Sequence, residues 1–478
     1  MDGSGNLVGG EWVGARSGRW CERRDPADPA TVVSRYPDSG QPDVDEAVAA
    51  VYEGYHEWAG TAPEARAAVL ERAADVLERS ADRLAREIVA EEGKTLAEAS
   101  NETRRTPANL RFYAGEALRL AGRTYPAGDG SMVLTTREPV GVVAAITPWN
   151  FPLNIPSRKL GPALAAGNGV VFKPSEVTPL AGQRLAEALL EAGLPPGAIA
   201  LVHGGAEAGA ALVADERVSA VTFTGSTAVG KRIHRTVGVH QRCQLEMGGK
   251  NPVVVLEDAD LDRAAGIIAR GAFGLTGQAC TGTSRVIVAA AVHDALVEKV
   301  AERARRLRVG SGLAPNVDMG PLATAAQYEK CREYLELAMA EGARLVAGAE
   351  PLGIEDGYFV RPSVVVDASP ASRLATEEVF GPVLTVLRAD SFDEAVKLAN
   401  ATSYGLSAGI VTADIGRALS FARRIDSGIV KINQATTGMA MNAPFGGVKN
   451  SSSQTFKEQA GDTMMHFYTV DKTVYLGA

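Results

Sequence analysis

The chain has 478 residues, more than a single hydrophobic core of about 250–300 residues accommodates, so two or three domains are expected. Hydrophobic residues make up 46% and charged residues 22% of the chain, which excludes a wholly disordered or fibrous protein. The formal net charge is −8 and the basic residues form only short clusters, so a nucleic-acid partner is not expected.

The sequence also argues against a membrane or secreted protein. No apolar run approaches the roughly 18 residues that span a bilayer, and the first residues lack the basic and apolar regions of a secretory signal. A disulfide framework is not expected from four cysteines in a chain of this length, namely Cys21, Cys243, Cys280 and Cys331. The sequence therefore predicts a cytoplasmic protein with free thiols and no membrane partner.

Helices dominate the predicted elements of the first third of the chain. Asp43 precedes apolar residues at helical spacing and is predicted to be the N-cap of a helix. Further helices are predicted over residues 64–79 and 82–92, and Gly93 is predicted to end the second of them.

After residue 140 the pattern changes to short apolar runs that alternate with helical stretches. Strands are predicted near 141–146, 169–172, 200–202 and 220–223, with helices near 157–166, 179–193, 206–214 and 227–237. Apolar strands that alternate with helices are typical of a parallel sheet covered on both faces. The pattern predicts a doubly wound nucleotide-binding fold.

A second set of elements begins at Asn251. Helices are predicted near 260–274 and 293–307, and strands near 251–256, 285–288, 359–366, 383–388, 407–411 and 428–432. This alternation predicts a second α/β domain.

The segment from Phe223 to Lys231 is a candidate phosphate site, because a strand ends there, glycine turns the chain and a helix begins. The spacing from Gly225 to Lys231 is that of a P-loop. Arg232, however, stands where a P-loop needs Ser or Thr for magnesium. The motif therefore does not indicate a nucleoside triphosphatase.

Two residues are candidates for chemistry on local grounds. Cys280 lies in a loop of small residues, which suits a nucleophile that must be approached closely, although a lone cysteine is also a common core residue. Glu246 lies in an apolar, glycine-rich segment and is either a general base with a raised pKa or a surface residue at a hinge. His234, His240 and Cys243 are the residues nearest to a possible metal cluster. Their spacing matches no common zinc pattern, so no metal site is predicted.

Seven short segments occur in one order along the chain and together resemble the aldehyde dehydrogenase superfamily. They are PWNFP at 148–152, FKPSE at 172–176, FTGSTAVG at 223–230, LEMGGK at 245–250, GQAC at 277–280, EVFGP at 378–382 and PFGG at 444–447. The resemblance covers nearly the whole chain. It implies an α/β fold with a Rossmann-type doubly wound NAD(P)-binding domain, an α/β catalytic domain and a β-strand oligomerisation arm. The implied boundaries are 1–119 with 140–247, then 248–449, and 120–139 with 450–478.

The resemblance also implies catalytic roles. Cys280 would attack the aldehyde to form a thiohemiacetal and then a thioester, and Glu246 would activate the hydrolytic water. The Asn150 amide and the Cys280 N–H would form the oxyanion hole, and Lys173 completes the catalytic set. The implied cofactor-binding residues are Ile146, Thr147, Pro148, Trp149, Lys173, Ser175, Glu176, Gly225, Ser226, Gly248, Glu378 and Phe380.

Glu176 favours NAD over NADP, because it would bind the adenosine ribose hydroxyls and repel a 2′-phosphate. NADP stays possible, since Ser175 and neighbouring basic residues could accommodate the phosphate. A strand expected near 468–475 resembles the arm that extends a neighbouring subunit's sheet, so a homodimer or homotetramer is expected.

The substrate is the least determined property. Arg158 and Asn154 match positions on the wall of the family's substrate tunnel, and an arginine there suits a carboxylate; the alternative is that Arg158 turns outward to an acid. Thr436 and Thr437 are predicted to add hydroxyls. The residues at 434–443 and 450–458 resemble those of enzymes acting on 2,5-dioxopentanoate (α-ketoglutarate semialdehyde).

Other activities remain as alternatives. Succinate semialdehyde and small hydroxyaldehydes such as glyceraldehyde or lactaldehyde are the alternative substrates. A CoA-acylating enzyme is disfavoured because its relatives lack the glutamate at position 246. A non-catalytic scaffold is disfavoured because Cys280 is retained.

Overall fold

The structure is a computed structural model that describes residues 4–128, 130–453, 455–458 and 461–477. The N-terminal part contains short strands followed by long helices, and then the strands of a separate small sheet. These elements are β1 (Asn6–Val8), β2 (Glu11–Val13), β3 (Trp20–Asp25), β4 (Asp28–Pro37), α1 (Gln41–Ala59), α2 (Pro63–Arg79), α3 (Ala81–Glu92), α4 (Leu96–Ala117), β5 (Thr124–Tyr125) and β6 (Met132–Pro139).

The next segment alternates strands and helices, as its apolar pattern predicts. Its elements are β7 (Val142–Ile146), α5 (Asn154–Ala165), β8 (Gly169–Lys173), α6 (Pro179–Glu191), β9 (Ile199–Leu201), α7 (Ala206–Ala214), β10 (Val218–Thr224), α8 (Thr227–Thr236) and β11 (Arg242–Glu246). They form a sheet of order β11-β10-β7-β8-β9-β1-β2, in which β7 to β11 are parallel and β1 and β2 are antiparallel.

Alternate residues of these strands enter two different cores. Val143 and Ala145 pack with α2 to α6, whereas Val142 and Ala144 pack with α1, α7 and α8. The sheet is therefore covered on both faces, which explains why its central strands are apolar throughout. The predicted doubly wound arrangement is confirmed.

A second mixed sheet follows. Its elements are β12 (Asn251–Val255), α9 (Leu261–Phe273), β13 (Thr283–Ala289), α10 (His293–Arg306), α11 (Ala325–Ala340), β14 (Arg344–Ala347), β15 (Ser363–Val366), α12 (Arg373–Thr376), β16 (Val383–Ala389), α13 (Phe392–Asn400), β17 (Tyr404–Gly405), β18 (Ser407–Val411), α14 (Ile415–Arg424), β19 (Ile429–Ile432) and β20 (Val448–Lys449). The order of this sheet is β14-β15-β16-β13-β12-β18-β19, parallel except for β14, whereas β17 and β20 form a separate antiparallel pair.

The last elements, α15 (Gly461–Tyr468) and β21 (Thr469–Leu476), return to the N-terminal half. Strand β21 pairs antiparallel with β6 along its whole length, from Thr469 opposite Pro139 to Leu476 opposite Met132, in a sheet of order β21-β6-β5. In the part of the chain that the structure describes, no helix is long and apolar enough to cross a membrane.

Two expectations about elements were wrong, and several elements were missed. Helix α1 begins before Asp43, whose carboxylate instead accepts a hydrogen bond from the Gly40 N–H at 3.0 Å within the first turn. The N-terminal strands and helix α4 were not predicted, although Thr95 and Glu98 form a capping box at the start of α4. The strand predicted near 359–366 begins only at Ser363.

Candidate active site

The site lies where the two large sheets meet. Ile146, Lys173, Thr224 and Glu246 end parallel strands of the first sheet, the edge at which open α/β sheets bind ligands. From the second sheet, Cys280 lies just before β13. A hydrogen bond of 2.8 Å from Asn150 Nδ2 to the carbonyl of Gln278 joins the two sides.

Cys280 lines two cavities. The first, which we call the sheet cleft, is about 180 Å³ and is formed mainly by loops that follow β7, β10 and β11, together with helix α11. The second, which we call the helix cavity, is about 430 Å³ and is formed mainly by α4, α5 and the loop after β19. One residue therefore borders both spaces.

The loop before Cys280 has a strained backbone. Leu275 and Thr276 have φ values of 54° and 55°, in the left-handed region that residues with a side chain rarely adopt. Gly277 also has a positive φ, and a Cβ there would lie 2.2 Å from the Gly381 carbonyl oxygen. Such conformations persist where the surroundings fix them and are concentrated at functional sites.

The backbone at Cys280 is held from the second sheet. The side-chain amide of Asn251 donates hydrogen bonds to the carbonyl oxygens of Cys280 at 2.8 Å and Gly282 at 2.9 Å. Burial raises the pKa of the Cys280 thiol to about 12, against the opposing effect of Arg158. The thiol is therefore protonated at neutral pH, and its attack on a carbonyl requires a base.

Glu246 is completely buried behind these cavities and lines neither of them. Its Oε1 accepts a hydrogen bond of 3.1 Å from Ser452 Oγ, and Oε2 has no hydrogen-bond partner among the described residues. Burial, reinforced by the neighbouring Glu458, raises the pKa of Glu246 well above its ordinary value, against the influence of Lys457 and Lys159. A carboxyl of this kind suits proton transfer near neutral pH.

A buried ion pair lies beside Glu246 and was not predicted. Lys159 Nζ is 3.0 Å from Glu458 Oε2 and also donates to Thr222 Oγ1 at 3.0 Å. Burial alone would raise the pKa of Glu458, but Lys159 and Arg158 hold it below its ordinary value. The C-terminal tail thus contributes a charged residue to the site.

The sheet cleft has the features of a dinucleotide site. Gly225 and the N-cap Ser226 place the N-terminus of α8 at the cleft, where free N–H groups and the helix dipole favour a phosphate. Glu378 is half-buried and accepts a hydrogen bond of 2.9 Å from the Gly249 N–H. A Cβ on Gly248 would lie 2.2 Å from the Glu378 carboxylate, so a side chain there would displace that carboxylate.

The predicted cofactor residues divide into two groups. Those that line the sheet cleft are Pro148, Trp149, Gly225, Ser226, Gly248, Glu378 and Phe380. The remainder lie at the same sheet edge but not on the cleft wall: Ile146, Thr147, Lys173, Ser175 and Glu176. Lys173 is buried, which lowers its pKa, and its Nζ lies 3.8 Å from Glu176 Oε2. Met247, Gln327 and Lys330 also line the cleft and were missed.

Three of the four predicted substrate residues line the helix cavity: Asn154, Arg158 and Thr437. Thr436 does not, because its hydroxyl is buried against that of Thr283 at 2.7 Å, and this prediction is corrected. Arg158 both lines the cavity and pairs with an acid, since its Nε lies 3.5 Å from Glu458 Oε1.

Helix α4 contributes cavity residues that the sequence did not reveal. Asn101, Arg105 and Ala108 line the helix cavity at helical spacing, and Arg105 is solvent-exposed. They were missed because α4 itself was not predicted. Among the described residues, no group of three or more His, Cys, Asp or Glu side chains is arranged to hold a metal ion.

Comparison with known proteins agrees with this geometry. The sequence profile of the aldehyde dehydrogenase family matches residues 12–474. The chain is 43% identical over 480 residues to the α-ketoglutarate semialdehyde dehydrogenase of Haloferax volcanii, covering 99% of each protein. It is 43% identical over 457 residues to the 2,5-dioxopentanoate dehydrogenase of Saccharolobus solfataricus, covering 95% of each. The crystal structure of an NAD-dependent aldehyde dehydrogenase from Sinorhizobium meliloti has a TM-score of 0.95 at 36% identity, over 99% of this chain and 95% of that one. The chain belongs to the aldehyde dehydrogenase family.

Proposed function

We propose that this aldehyde dehydrogenase oxidises an aldehyde with a distal carboxylate, and that 2,5-dioxopentanoate is the first candidate. The chain is an NAD(P)-dependent oxidoreductase that converts an aldehyde to a carboxylic acid. The observation that carries the proposal is that Cys280 lines both the sheet cleft and the arginine-bearing helix cavity. The names of two relatives, α-ketoglutarate semialdehyde dehydrogenase and 2,5-dioxopentanoate dehydrogenase, support the same substrate.

In this proposal the sulfur of Cys280 forms a bond to the aldehyde carbon while its proton passes to a base. The Asn150 amide and the Cys280 N–H stabilise the negative charge that develops on the carbonyl oxygen. Trp149, Ser226 and Glu378 of the sheet cleft would hold NAD(P)+, which would supply an acceptor for the hydride of the thiohemiacetal carbon. Cys280 is left as a thioester.

Glu246 is the proposed base for the water that hydrolyses the thioester. Its raised pKa suits this task, but its carboxylate faces Ser452 and Gly446 rather than either cavity. The proposal therefore includes a rotation of the Glu246 side chain toward Cys280. Hydrolysis returns the thiol to Cys280 and releases the acid.

For the cofactor, we propose that Lys173 and Glu176 bind the adenosine ribose and that NAD is preferred over NADP. Glu176 is half-exposed beside the sheet edge, where its charge would oppose a 2′-phosphate. The proposed boundaries of the cofactor, catalytic and arm regions remain those expected from the sequence. The four cysteines are free, which fits the proposed cytoplasmic location.

The test is steady-state kinetics at 340 nm with a panel of aldehydes and with each cofactor. We expect the highest kcat/KM for 2,5-dioxopentanoate with NAD, a lower value for succinate semialdehyde, and lower values still for glyceraldehyde, lactaldehyde and butanal. Cys280→Ala should abolish turnover, because the first covalent bond forms at its sulfur. A preference for uncharged aldehydes, a requirement for CoA, or turnover by Cys280→Ala would each contradict the proposal.

A further inference from the structure

A second buried ion pair lies beneath the loop that carries Asn150. Lys94 is completely buried, and its Nζ donates hydrogen bonds to Glu102 Oε2 at 2.8 Å and to the backbone carbonyl of Asn150 at 2.6 Å. The Glu92 carboxylate lies further away, at 3.8 Å. Lys94 therefore fixes the main chain at the residue whose side chain is the proposed oxyanion donor.

The other oxygen of Glu102 holds the end of the same loop. Glu102 Oε1 accepts hydrogen bonds from the backbone N–H groups of Leu153 at 3.0 Å and Asn154 at 3.1 Å. Helix α5 begins at Asn154, and its N-cap residue supplies no side-chain hydrogen bond. The Glu102 carboxylate therefore satisfies N–H groups that this helix end would otherwise leave unpaired.

Stability alone does not explain such a pair. Burying two charges is costly, and neutral residues of similar volume often replace a buried ion pair without loss of stability. The pair instead fixes the position of the loop between Asn150 and Asn154, because Lys94 binds one end of this loop and Glu102 binds the other. A displacement of about 1 Å at a reacting centre can reduce the rate on the order of 100-fold.

We propose that Lys94 and Glu102 are positioning residues that hold the Asn150 amide in place for the carbonyl oxygen of the substrate. This inference rests on the oxyanion role proposed above for Asn150. Lys94 itself lines neither cavity, so it acts through Asn150 and touches no reacting atom, whereas Glu102 also lines the helix cavity.

The test is a single turnover with enzyme and NAD+ in excess over aldehyde, followed at 340 nm. The double variant Lys94→Met/Glu102→Gln removes both charges of the pair and retains an acceptor for Leu153 and Asn154, but nothing donates to the Asn150 carbonyl. It also takes away the cation that faces Glu92, so the turnover is measured near pH 6, below the Glu92 pKa of about 7. We expect its rate constant for NADH formation to fall by about 10- to 100-fold, while the dissociation constant of NAD+ changes by less than about twofold. If the double variant does not fold, Glu102→Gln alone should show a loss in the same direction.

Arg66→Met is the matched control. Arg66 is also buried and donates a hydrogen bond of 3.0 Å from Nε to the Ala165 carbonyl, at the opposite end of α5. If the role of Lys94 is purely structural, the double variant and Arg66→Met should lose similar thermal stability and have similar rate constants. That result would overturn the inference.

Asn150→Ala separates the two proposals. If Asn150→Ala is slow and the double variant is as fast as Arg66→Met, the positioning inference alone fails. If Asn150→Ala is as fast as the wild type, the oxyanion role fails and the inference falls with it.

Discussion

Arg158 and Arg105 both line the helix cavity, but their electrostatic surroundings differ. Arg158 is buried and lies within 3.5 Å of Glu458, whose charge is shared with Lys159. Arg105 is exposed on α4, and no ion pair joins it to another described residue. Arg105 is therefore the cation more readily available to an anionic substrate as it enters, whereas a change at Arg158 would also disturb the carboxylate next to Glu246.

We expect Arg105→Ala to weaken selection for the charged aldehyde. The ratio of kcat/KM for 2,5-dioxopentanoate to that for butanal should fall by about three- to tenfold, a modest effect because solvent screens an exposed charge. The ratio should also depend less on ionic strength than in the wild type. Arg104→Ala is the control, because Arg104 is the exposed neighbour that does not line the cavity. Equal ratios in both variants would exclude a role for Arg105.

Which site residues the sequence could predict depends on where their partners lie. Cys280, Glu246 and Asn150 belong to short motifs, and a motif can be recognised without its tertiary surroundings. Arg105 and Glu458 belong to segments whose place in the site depends on packing between distant parts of the chain. Thr436 was misassigned because adjacent residues face different ways, so that Thr437 lines the cavity while Thr436 packs against Thr283.

At the scale of elements, two helices of the first sheet obtain their N-terminal caps from other helices. Glu102 of α4 caps α5, and Glu91 of α3 caps α6 by accepting hydrogen bonds from the Leu180 and Ala181 N–H groups at 2.9 and 3.2 Å. Predictions of helix caps from sequence use only the residues next to the helix end in the chain. They therefore predict α8, capped by its own Ser226, more readily than they predict how α5 and α6 begin.

Glu92, at the C-terminal end of α3, makes a pH-dependent contribution to the stability of the folded protein. Burial raises the pKa of Glu92 to about 7, against the influence of Lys94 and with a smaller contribution from Glu102. Because the folded protein holds this proton more tightly than the unfolded chain, the contribution is fully present below the ordinary pKa of 4.5 and is lost as pH rises through about 7.

Glu92→Gln should remove this dependence. Relative to the wild type, we expect the variant to gain up to about 3 kcal/mol of stability between pH 5 and pH 8, a shift of about 3 °C in Tm for a chain of this size. Tm is measured for both proteins across that range. Glu71→Gln, an exposed position on α2, should show no such trend, and an equal trend in the two variants would exclude Glu92 as the source.

At the scale of the whole molecule, the small sheet leaves an edge strand with apolar side chains. Strand β21 is an edge of this sheet and is largely exposed, with Val470 36%, Leu476 50% and Tyr475 73% accessible. A long exposed edge of this kind is a liability in a monomer unless another chain covers it. This supports the proposal that the protein is a homodimer or homotetramer in which the arm adds to a neighbouring subunit.

We expect light scattering to give a mass of two or four times the chain mass of 50.0 kDa. Tyr475→Lys/Leu476→Lys should shift the equilibrium toward the monomer, because it places charges on the apolar end of β21. The control is Thr473→Lys, which adds the same kind of charge at an exposed position of the same strand without removing apolar surface. A stable wild-type species of 50.0 kDa would contradict the proposal.

The tail that supplies Ser452 and Glu458 also has a consequence for synthesis. Ribosomes make a chain from its N-terminus, so Cys280 emerges long before the residues that pair with Lys159 and contact Glu246. Strand β21, which closes the sheet on β6, emerges later still. A nascent or C-terminally clipped chain therefore carries Cys280 without the residues that complete its surroundings. With the roles proposed for Cys280 and Glu246, a chain becomes competent for catalysis only near the end of translation.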